Sequence, residues 1–143
     1  MSSMVLDMGM SSETLIRPAT DGITEKVDPI ACLDERTISQ ATESGEVQPG
    51  RYIEVRGGGR TLLIPLGQDV MHVGRGLSAD LHLDETSVSR RHAILVPRAG
   101  GARILDDRSS NGTFVNGRRI QQADLVNGDV IVLGRVVLRY LEI

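Results

Sequence analysis

Five polar side chains, spread over three segments of the sequence, are of the types that bind an anion. Arg75 and Arg90 each offer a fork of N–H donors, and Ser89 and Ser110 each offer a hydroxyl. Asn111 carries both a donor and an acceptor, so it can hold the backbone of an extended peptide. Each of these residues is also common in a solvated polar loop. Together they indicate a set of donors that can surround an anion.

A second chemistry would use a serine, a histidine and a carboxylate. Ser89, His92 and Asp106 are the candidates for such a hydrolytic triad. The serine lacks the Gly-x-Ser-x-Gly surroundings of a nucleophile elbow, and a histidine three residues later in the same loop is badly placed as its general base. His72, His82 and His92 are ten residues apart, which matches no standard metal-ligand spacing. We therefore expect no catalytic residues, no metal and no cofactor.

Composition excludes several classes of partner. The chain has 143 residues, of which only 2% are aromatic and none is Trp, so it lacks a stacking platform for single-stranded nucleic acid. Residues 50–143 carry 13 basic and 10 acidic groups without a basic stripe, which predicts no nucleic-acid partner. No apolar run approaches the ~18 residues of a membrane span, and the start of the chain does not resemble a signal peptide. We expect a cytoplasmic protein with no membrane partner, whose single Cys32 forms no internal disulfide.

The elements that must position the polar loops are short strands. From Arg51 onward, apolar runs alternate with glycine-rich turns such as Gly57-Gly58-Gly59 and Asn116-Gly117. About ten runs in 94 residues predict an all-β sandwich, with the polar segments in its loops. Residues 1–49 carry 3 basic and 9 acidic groups and only scattered apolar residues. We expect this segment to be a largely disordered tail, with at most a weak helix between Asp28 and Ala41.

The three polar segments, taken in order, resemble the forkhead-associated (FHA) domain, a phosphothreonine-binding family. The resemblance covers residues 50–143 and is carried by five motifs: Gly74-Arg75, Ser89-Arg90-Arg91-His92, Ser109-Ser110-Asn111-Gly112-Thr113, Asn116-Gly117 and Asn127-Gly128-Asp129-Val130-Ile131. It implies a β-sandwich of about eleven strands that binds phosphothreonine in an extended peptide and performs no catalysis.

The resemblance also implies a role for each site residue. Arg75 would contact the phosphate, and Ser89 and Ser110 would donate to its oxygens. Arg90 stands where other members have Asn or Lys and would keep a phosphate contact. Asn111 would hold the peptide backbone.

Three further residues, Gly74, His92 and Asn116, would support the loops. Family members often select the third residue after the phosphothreonine with two segments that correspond here to Glu85–Val88 and Gly134. Position 87 is a serine and not an arginine that would favour Asp as this third peptide residue. We therefore expect the third peptide residue to be aliphatic or loosely specified.

The tail of residues 1–49 resembles that of small actinobacterial FHA signalling regulators, in which a kinase phosphorylates a threonine of an acidic tail. The stretch Ser11–Ile16 carries this resemblance, with Thr14 as the first candidate phosphosite and Thr20 as the second. Two functions stay open. One is a phosphothreonine-binding adaptor downstream of bacterial Ser/Thr kinases that can also bind its own phosphorylated tail. The other is a regulator that binds metabolic enzymes while its tail is unphosphorylated.

Overall fold

The computed structural model describes residues 26–43 and 47–143, which contain twelve strands, one α-helix and one short 3-10 helix. The 3-10 helix is Ile30–Cys32 and α1 is Glu35–Gln40. The strands are β1 Thr42–Glu43, β2 Arg51–Gly57, β3 Arg60–Pro65, β4 Met71–Gly74, β5 Leu81–His82, β6 Ala93–Arg98, β7 Gly101–Asp106, β8 Thr113–Val115, β9 Arg118–Ile120, β10 Gln122–Leu125, β11 Val130–Leu133 and β12 Val136–Glu142.

These strands build two sheets. The first has the order β9-β8-β11-β12-β2-β3-β1 and the second the order β10-β7-β6-β4-β5. Every pair of neighbours is antiparallel except β4 and β5, which are parallel. The predicted β-sandwich is confirmed, and eleven of the twelve described strands lie within residues 51–142.

Alternating side chains on the strands form one core between the sheets. On β12, Val136, Leu138 and Tyr140 are buried, while Val137 and Arg139 between them are half exposed. Such alternation is expected where one face of a strand packs inward and the other meets solvent. The resulting core is continuous from one sheet to the other, so the loops at its ends start from fixed positions.

Residues 26–43, which we call the N-terminal segment, pack against the sandwich, whereas the sequence predicted packed structure only from residue 50. Cys32 and Leu33 are buried in the core, and Leu33 forms an antiparallel bridge with Leu83 beside β5. Strand β1 pairs with the free edge of β3, so the N-terminal segment reaches the edges of both sheets. Its apolar residues are too few to form a core alone, but they complete a core that the strands already supply. The predicted boundary is corrected in this respect for residues 26–43.

The weak helix expected between Asp28 and Ala41 is shorter than that range. Only Glu35–Gln40 form α1, and the Asp34 side chain caps it by accepting from the Thr37 backbone N–H at 2.8 Å. No helix in the part of the chain that the structure describes is long and apolar enough to cross a membrane.

Candidate functional site

The three polar segments emerge at the same end of the sandwich. In the five-stranded sheet, Val73 at the end of β4 pairs with Ala93, which in turn lies opposite Asp106 at the end of β7. In the other sheet, Thr113 at the start of β8 lies opposite Leu133 at the end of β11. The Thr113 hydroxyl donates to the Asp106 carboxylate at 2.7 Å, which joins the two sheets at this end. The loops that meet here are residues 75–80, 83–92 and 107–112 and the turn at 134–135.

Arg75 is fixed by its own backbone and side chain. Its backbone N–H donates to the Ser89 carbonyl at 2.9 Å, and its Nε donates to the Val88 carbonyl at 3.0 Å. The side chain is half-buried, and its two Nη groups make no hydrogen bond within residues 26–43 and 47–143. The arginine is therefore oriented by the loop and keeps its terminal donors for a ligand.

Gly74 allows the two loops to come this close. A Cβ atom at this position would lie 2.1 Å from the Arg90 carbonyl oxygen, which is backbone and cannot rotate away. The extended backbone of Gly74 itself carries no strain, so the requirement for glycine comes from the close approach alone.

Ser89 and Ser110 meet across two loops. The Ser110 backbone N–H donates to Ser89 Oγ at 2.9 Å. Because that oxygen already accepts, the hydroxyl hydrogen of Ser89 is the part left to donate to an anion. Ser110 itself is exposed, so its hydroxyl is also accessible.

His92 is completely buried and both its ring nitrogens have partners. Nδ1 accepts from the Ser89 backbone N–H at 3.0 Å, so Nε2 carries the hydrogen and donates to the Gly112 carbonyl at 2.9 Å. Burial lowers the pKa of His92 below its ordinary 6.5, although the hydrogen bond to Gly112 and the carboxylate of Asp106 act in the opposite direction. A neutral His92 thus ties the Ser89 loop to the Gly112 loop.

Asn111 joins the same two loops and leaves capacity for a ligand. Its Nδ2 donates to the Ser87 carbonyl at 2.7 Å, and the side chain is half-buried. The second Nδ2 hydrogen and the Oδ1 acceptor remain available, which is the pairing that a peptide backbone requires.

The Asp106 carboxylate organises the loop that carries Ser110 and Asn111. It accepts from the Ser109 backbone N–H at 3.2 Å, from the Ser109 hydroxyl and from the Thr113 hydroxyl. Burial acts to raise the pKa of Asp106, but these hydrogen bonds outweigh it, and the pKa lies below its ordinary 3.8. Asp106 therefore shapes the loop as a carboxylate.

Two of the predicted site residues stand apart from this cluster. Arg90 is exposed, and within the described ranges its guanidinium makes no hydrogen bond or ion pair, so only its position next to Ser89 links it to the site. Asn116 lies at the far end of β8, where its Nδ2 donates to Asp129 Oδ1 and its Oδ1 accepts from the Val130 backbone N–H, both at 2.9 Å. Asn116 thus ties its own turn to the turn before β11.

The segment before Ser89 contacts the last hairpin. The Arg135 backbone N–H donates to Ser87 Oγ at 2.8 Å, and the Arg135 guanidinium donates through two nitrogens to Glu85 Oε2 at 2.8 and 3.0 Å. Gly134 has a φ of +61°, and a Cβ there would lie 2.4 Å from the Ser87 carbonyl oxygen. Sequence reasoning missed the Glu85–Arg135 ion pair, because its members are fifty residues apart.

The geometry does not assemble a hydrolytic triad. His92 Nδ1 faces the Ser89 backbone N–H and its Nε2 faces Gly112, so no ring nitrogen is left to accept from the Ser89 hydroxyl. Across residues 26–43 and 47–143, no group of three or more His, Cys, Asp or Glu side chains is placed to hold a metal ion. What the arrangement offers is a set of guanidinium, hydroxyl and amide donors on neighbouring loops at one end of the sandwich.

The fold and this loop arrangement define an FHA-type sandwich, and comparison with known proteins agrees. The family described as FHA domain matches residues 71–134. The oxoglutarate dehydrogenase inhibitor of Corynebacterium diphtheriae is 33% identical over 113 residues, which are 76% of this chain and 79% of that protein. The chain belongs to the FHA family.

Other relatives match over a smaller part of their own length. The ABC transporter ATP-binding/permease protein Rv1747 of Mycobacterium tuberculosis is 40% identical over 101 residues, 71% of this chain but 11% of that protein. The glycogen accumulation regulator GarA of Mycolicibacterium smegmatis is 38% identical over 76 residues, 53% of this chain and 48% of that protein. The chain therefore spans about a tenth to a half of these two relatives.

Solved structures show the same fold. One, from a study of phosphothreonine-dependent FHA domain interactions, has a TM-score of 0.58 and 34% identity and covers 65% of this chain and 96% of its own. The FhaA FHA domain in complex with the intracellular domain of Rv3910 has a TM-score of 0.58 and 35% identity and covers 64% of this chain and 99% of its own.

Proposed function

We propose that the chain is a non-catalytic signalling module that binds phosphothreonine peptides downstream of bacterial Ser/Thr protein kinases. The observation that carries the proposal is the hydrogen-bonded contact between the Arg75 and Ser89 loops. It brings an arginine whose Nη groups make no hydrogen bond in the described residues into the same loop cluster as a serine whose hydroxyl hydrogen is unused, which supports a shared phosphate contact. In this proposal Arg75, Ser89, Arg90 and Ser110 contact the phosphate, and Asn111 contacts the peptide backbone.

The chemistry of the phosphate favours this set of donors. A phosphothreonine carries about −1.5 to −2 charges and three acceptor oxygens, so two guanidinium groups and two hydroxyls nearly saturate it. Each charge-assisted hydrogen bond contributes about 1.5 to 3 kcal/mol, and an unphosphorylated threonine forfeits several of them together. Phosphorylation would therefore switch the ligand from a non-binder to a binder.

The comparisons support the same ligand class. A structural neighbour at 34% identity comes from a study of phosphothreonine-dependent FHA interactions, and another was solved bound to the intracellular domain of a second protein. We extend both features to this chain, with a cytoplasmic location and a phosphorylated protein as partner. Gly74, His92 and Asn116 are proposed to support the loops and not to touch the ligand.

The test is a titration of the full chain with a phosphothreonine peptide chosen from a phosphopeptide library. Arg75→Ala should lose about 2 to 5 kcal/mol of binding free energy, because it removes a charged group that faces the phosphate. Ser89→Ala should lose less, about 1 to 2 kcal/mol, since it removes one hydroxyl hydrogen bond to the phosphate and the acceptor of the Ser110 backbone N–H but no charge.

Arg98→Ala is the matched control, because Arg98 is an exposed arginine at the opposite end of β6. It should bind like the wild type. If Arg75→Ala, folded by circular dichroism, binds within threefold of the wild type, the site is misplaced.

A second candidate function is supported by the names of two relatives. One is called an inhibitor of oxoglutarate dehydrogenase and another a glycogen accumulation regulator. On this view the chain binds metabolic enzymes while unphosphorylated and releases them when its tail is phosphorylated. Thr14 and Thr20, the candidate phosphosites, lie outside the described residues.

Affinity capture with the dephosphorylated chain separates the two candidates. Retention of metabolic enzymes that survives phosphatase treatment of the lysate favours the regulator. Retention only of phosphoproteins, lost after phosphatase treatment, favours the adaptor. The Arg75→Ala variant should abolish capture in the adaptor case.

A further inference from the structure

The N-terminal segment contacts the loop that carries Arg75. The Arg36 guanidinium donates through Nη2 to the Ala79 carbonyl at 3.0 Å, a contact between residues 43 positions apart. Ala79 is buried, and its own backbone N–H donates to the Gly76 carbonyl at 3.1 Å. Arg36 therefore holds the short turn that directly follows Arg75.

His82 connects the same segment to Arg75 itself. Its Nε2 donates to the Arg75 carbonyl at 2.9 Å, and its Nδ1 lies 3.6 Å from Asp34 Oδ2. The His82 side chain is only 14% exposed, so the ring is confined between these two oxygens. Asp34 is fixed in turn, because its other oxygen caps α1 through the Thr37 backbone N–H.

Backbone contacts hold the N-terminal segment in a fixed position against the residues that follow β5. The Asp84 backbone N–H donates to the Cys32 carbonyl at 2.8 Å, and Leu33 bridges Leu83. Cys32, Leu33 and Leu83 are all buried in the core. The positions of Asp34 and Arg36 relative to His82 and Ala79 are therefore set by packing, not by the reach of flexible side chains.

Two hydrogen bonds hold the peptide plane that follows Arg75: the Gly76 backbone N–H donates to the Arg90 carbonyl at 3.1 Å, and the Arg75 carbonyl accepts from His82 at 2.9 Å. The Arg75 N–H and Nε are bonded to the Ser89 loop. If His82 is lost, the carbonyl end of this peptide plane has no partner, so the plane can tilt about the remaining Gly76–Arg90 contact and displace the Arg75 guanidinium. A displacement of about 1 Å is enough to weaken a charge-assisted hydrogen bond substantially.

We propose that Asp34, Arg36 and His82 are positioning residues for phosphopeptide binding, and that the N-terminal segment is an integral part of the binding unit. The juxtaposition of Asp34, His82 and the Arg75 carbonyl carries the proposal. It rests on the proposed function, because Arg75 must contact the phosphate for its position to matter. The three residues lie outside the motifs that identify the family.

The first experiment titrates one phosphothreonine peptide into full-length His82→Ala, Asp34→Asn and Arg36→Ala. Asp34→Asn retains one side-chain oxygen to cap α1 and replaces the carboxylate oxygen that lies near His82 and Arg36 with an amide NH2. We expect His82→Ala to weaken binding about 10-fold and the other two about 3- to 10-fold, at a temperature where thermal melts show each variant fully folded.

Arg60→Ala is the matched control. Arg60 pairs with Glu43 at 3.0 Å, so it also contacts the N-terminal segment, but at the β1–β3 edge away from Arg75. It should bind within about 1.5-fold of the wild type. If His82→Ala and Arg36→Ala bind as well as Arg60→Ala, the proposal is overturned.

A double-substitution cycle distinguishes this failure from failure of the proposed function. The effects of His82→Ala and Arg75→Lys should be non-additive, whereas the effects of His82→Ala and Ser110→Ala should multiply. If Arg75→Ala binds normally, the proposed phosphate site is wrong. If Arg75→Ala abolishes binding and the three positioning variants have no effect, only the present inference is wrong.

A spectroscopic measurement reports on Arg75 without any ligand. The Arg75 Nε–H donates to the Val88 carbonyl, so its NMR signal should exchange slowly with water, and Arg75→Ala assigns it by its disappearance. His82→Ala should shift this signal and speed its exchange, and Arg60→Ala should not. An unchanged Arg75 signal in His82→Ala would contradict the positioning role.

Discussion

At the scale of single residues, His92 shows how a buried imidazole can set the pH dependence of stability. Its pKa is lowered by burial, so the folded protein holds it neutral where the unfolded chain begins to protonate near 6.5. In that range the unfolded state binds more protons, and stability therefore falls as the pH falls below about 6.5. Above about 7 the His92 contribution is fully present.

The prediction is that the unfolding free energy of the wild type falls between pH 7 and pH 5 more steeply than that of His92→Gln. The difference in slope should be at most about 1.4 kcal/mol per pH unit, since one proton is involved. Urea denaturation at several pH values measures it. Parallel curves for the two proteins would show that His92 is not the titrating group.

His92→Ala should lower melting temperature and phosphopeptide affinity together. The substitution leaves the Ser89 N–H and the Gly112 carbonyl without their partner and opens a cavity, which together cost about 2 to 4 kcal/mol. Thermal melts and titrations below the melting temperature test this. A variant that melts like the wild type but fails to bind would place His92 in contact with the ligand.

Gly134 tests how closely the last hairpin must approach the Ser87 loop. Gly134→Ala places a Cβ 2.4 Å from the Ser87 carbonyl and also meets a φ of +61°. Gly117→Ala is its control, because Gly117 has a φ of +84° but no neighbour within 4 Å of the added carbon. We expect Gly134→Ala to lose about 1 to 3 kcal/mol more stability than Gly117→Ala and to bind phosphopeptide less tightly. Equal losses would mean that the hairpin can move away without consequence.

At the scale of elements, the N-terminal segment should contribute to folding as part of the core. Leu33 is 8% exposed and packs in the cluster that includes Leu83. Leu33→Ala should therefore lower the unfolding free energy by about 2 to 4 kcal/mol. Glu43→Ala, an exposed position in the same segment, should leave the melting temperature almost unchanged. A Leu33→Ala protein as stable as Glu43→Ala would show that the segment detaches without cost.

Sequence patterns revealed the elements that carry local signals. Apolar runs between glycine turns predicted the sandwich, and the motifs around Arg75, Ser89 and Asn111 predicted which loops would meet. Strand β9 has no such local signal, because two of its three residues, Arg118 and Arg119, carry no apolar pattern, and its pairing with β8 defines it. Local pattern does not reveal such a tertiary contact.

The same reason explains which site contacts escaped sequence reasoning. Glu85 and Arg135 form their ion pair across two sheets, and Asp34 reaches His82 over 48 positions. The sequence around one member of each pair does not predict which residue its partner will be. The single apolar residues of the N-terminal segment were taken as too sparse for burial, because their core partners come from distant strands.

At the scale of the whole molecule, the start of the N-terminal segment lies close to the proposed binding loops. The Val27 backbone N–H donates to the Arg135 carbonyl at 3.0 Å, and the Arg135 N–H donates to Ser87 Oγ. The Ser87 carbonyl accepts from Asn111. Two residues, Arg135 and Ser87, therefore connect Val27 through hydrogen bonds to Asn111, a proposed peptide contact. The residues before Val27 carry four acidic and two basic groups, a net charge of −2 against +3 for residues 50–143, which favours contact between these residues and the loops.

Because Val27 lies next to the last hairpin, the tether between a phosphorylated threonine and the loops consists only of the residues that precede Val27. Thr14 precedes Val27 by 13 residues and Thr20 precedes it by 7, which limits their reach to about 45 Å and about 24 Å. Both spans allow contact with loops that begin next to Val27. A short tether gives an effective concentration on the order of 1 mM, so an intrinsic Kd of about 10 μM would close about 99% of the molecules.

The prediction is that phosphorylation of the N-terminal residues, first at Thr14 and otherwise at Thr20, makes them bind the Arg75–Ser89–Asn111 loops and exclude external ligands. A bacterial Ser/Thr kinase is used to phosphorylate the full chain, and mass spectrometry of wild type, Thr14→Ala and Thr20→Ala identifies the site. Amide signals of Arg75, Ser89, Ser110 and Asn111 should shift on phosphorylation, and the apparent affinity for an added phosphothreonine peptide should fall about 100-fold, since a closed fraction of 99% leaves 1% competent. Arg75→Ala, phosphorylated to the same extent, should show no phosphorylation-dependent shift of the Ser89, Ser110 and Asn111 amide signals. Phosphorylated wild type that binds the peptide as well as the unmodified chain, with only N-terminal signals shifted, would exclude self-binding.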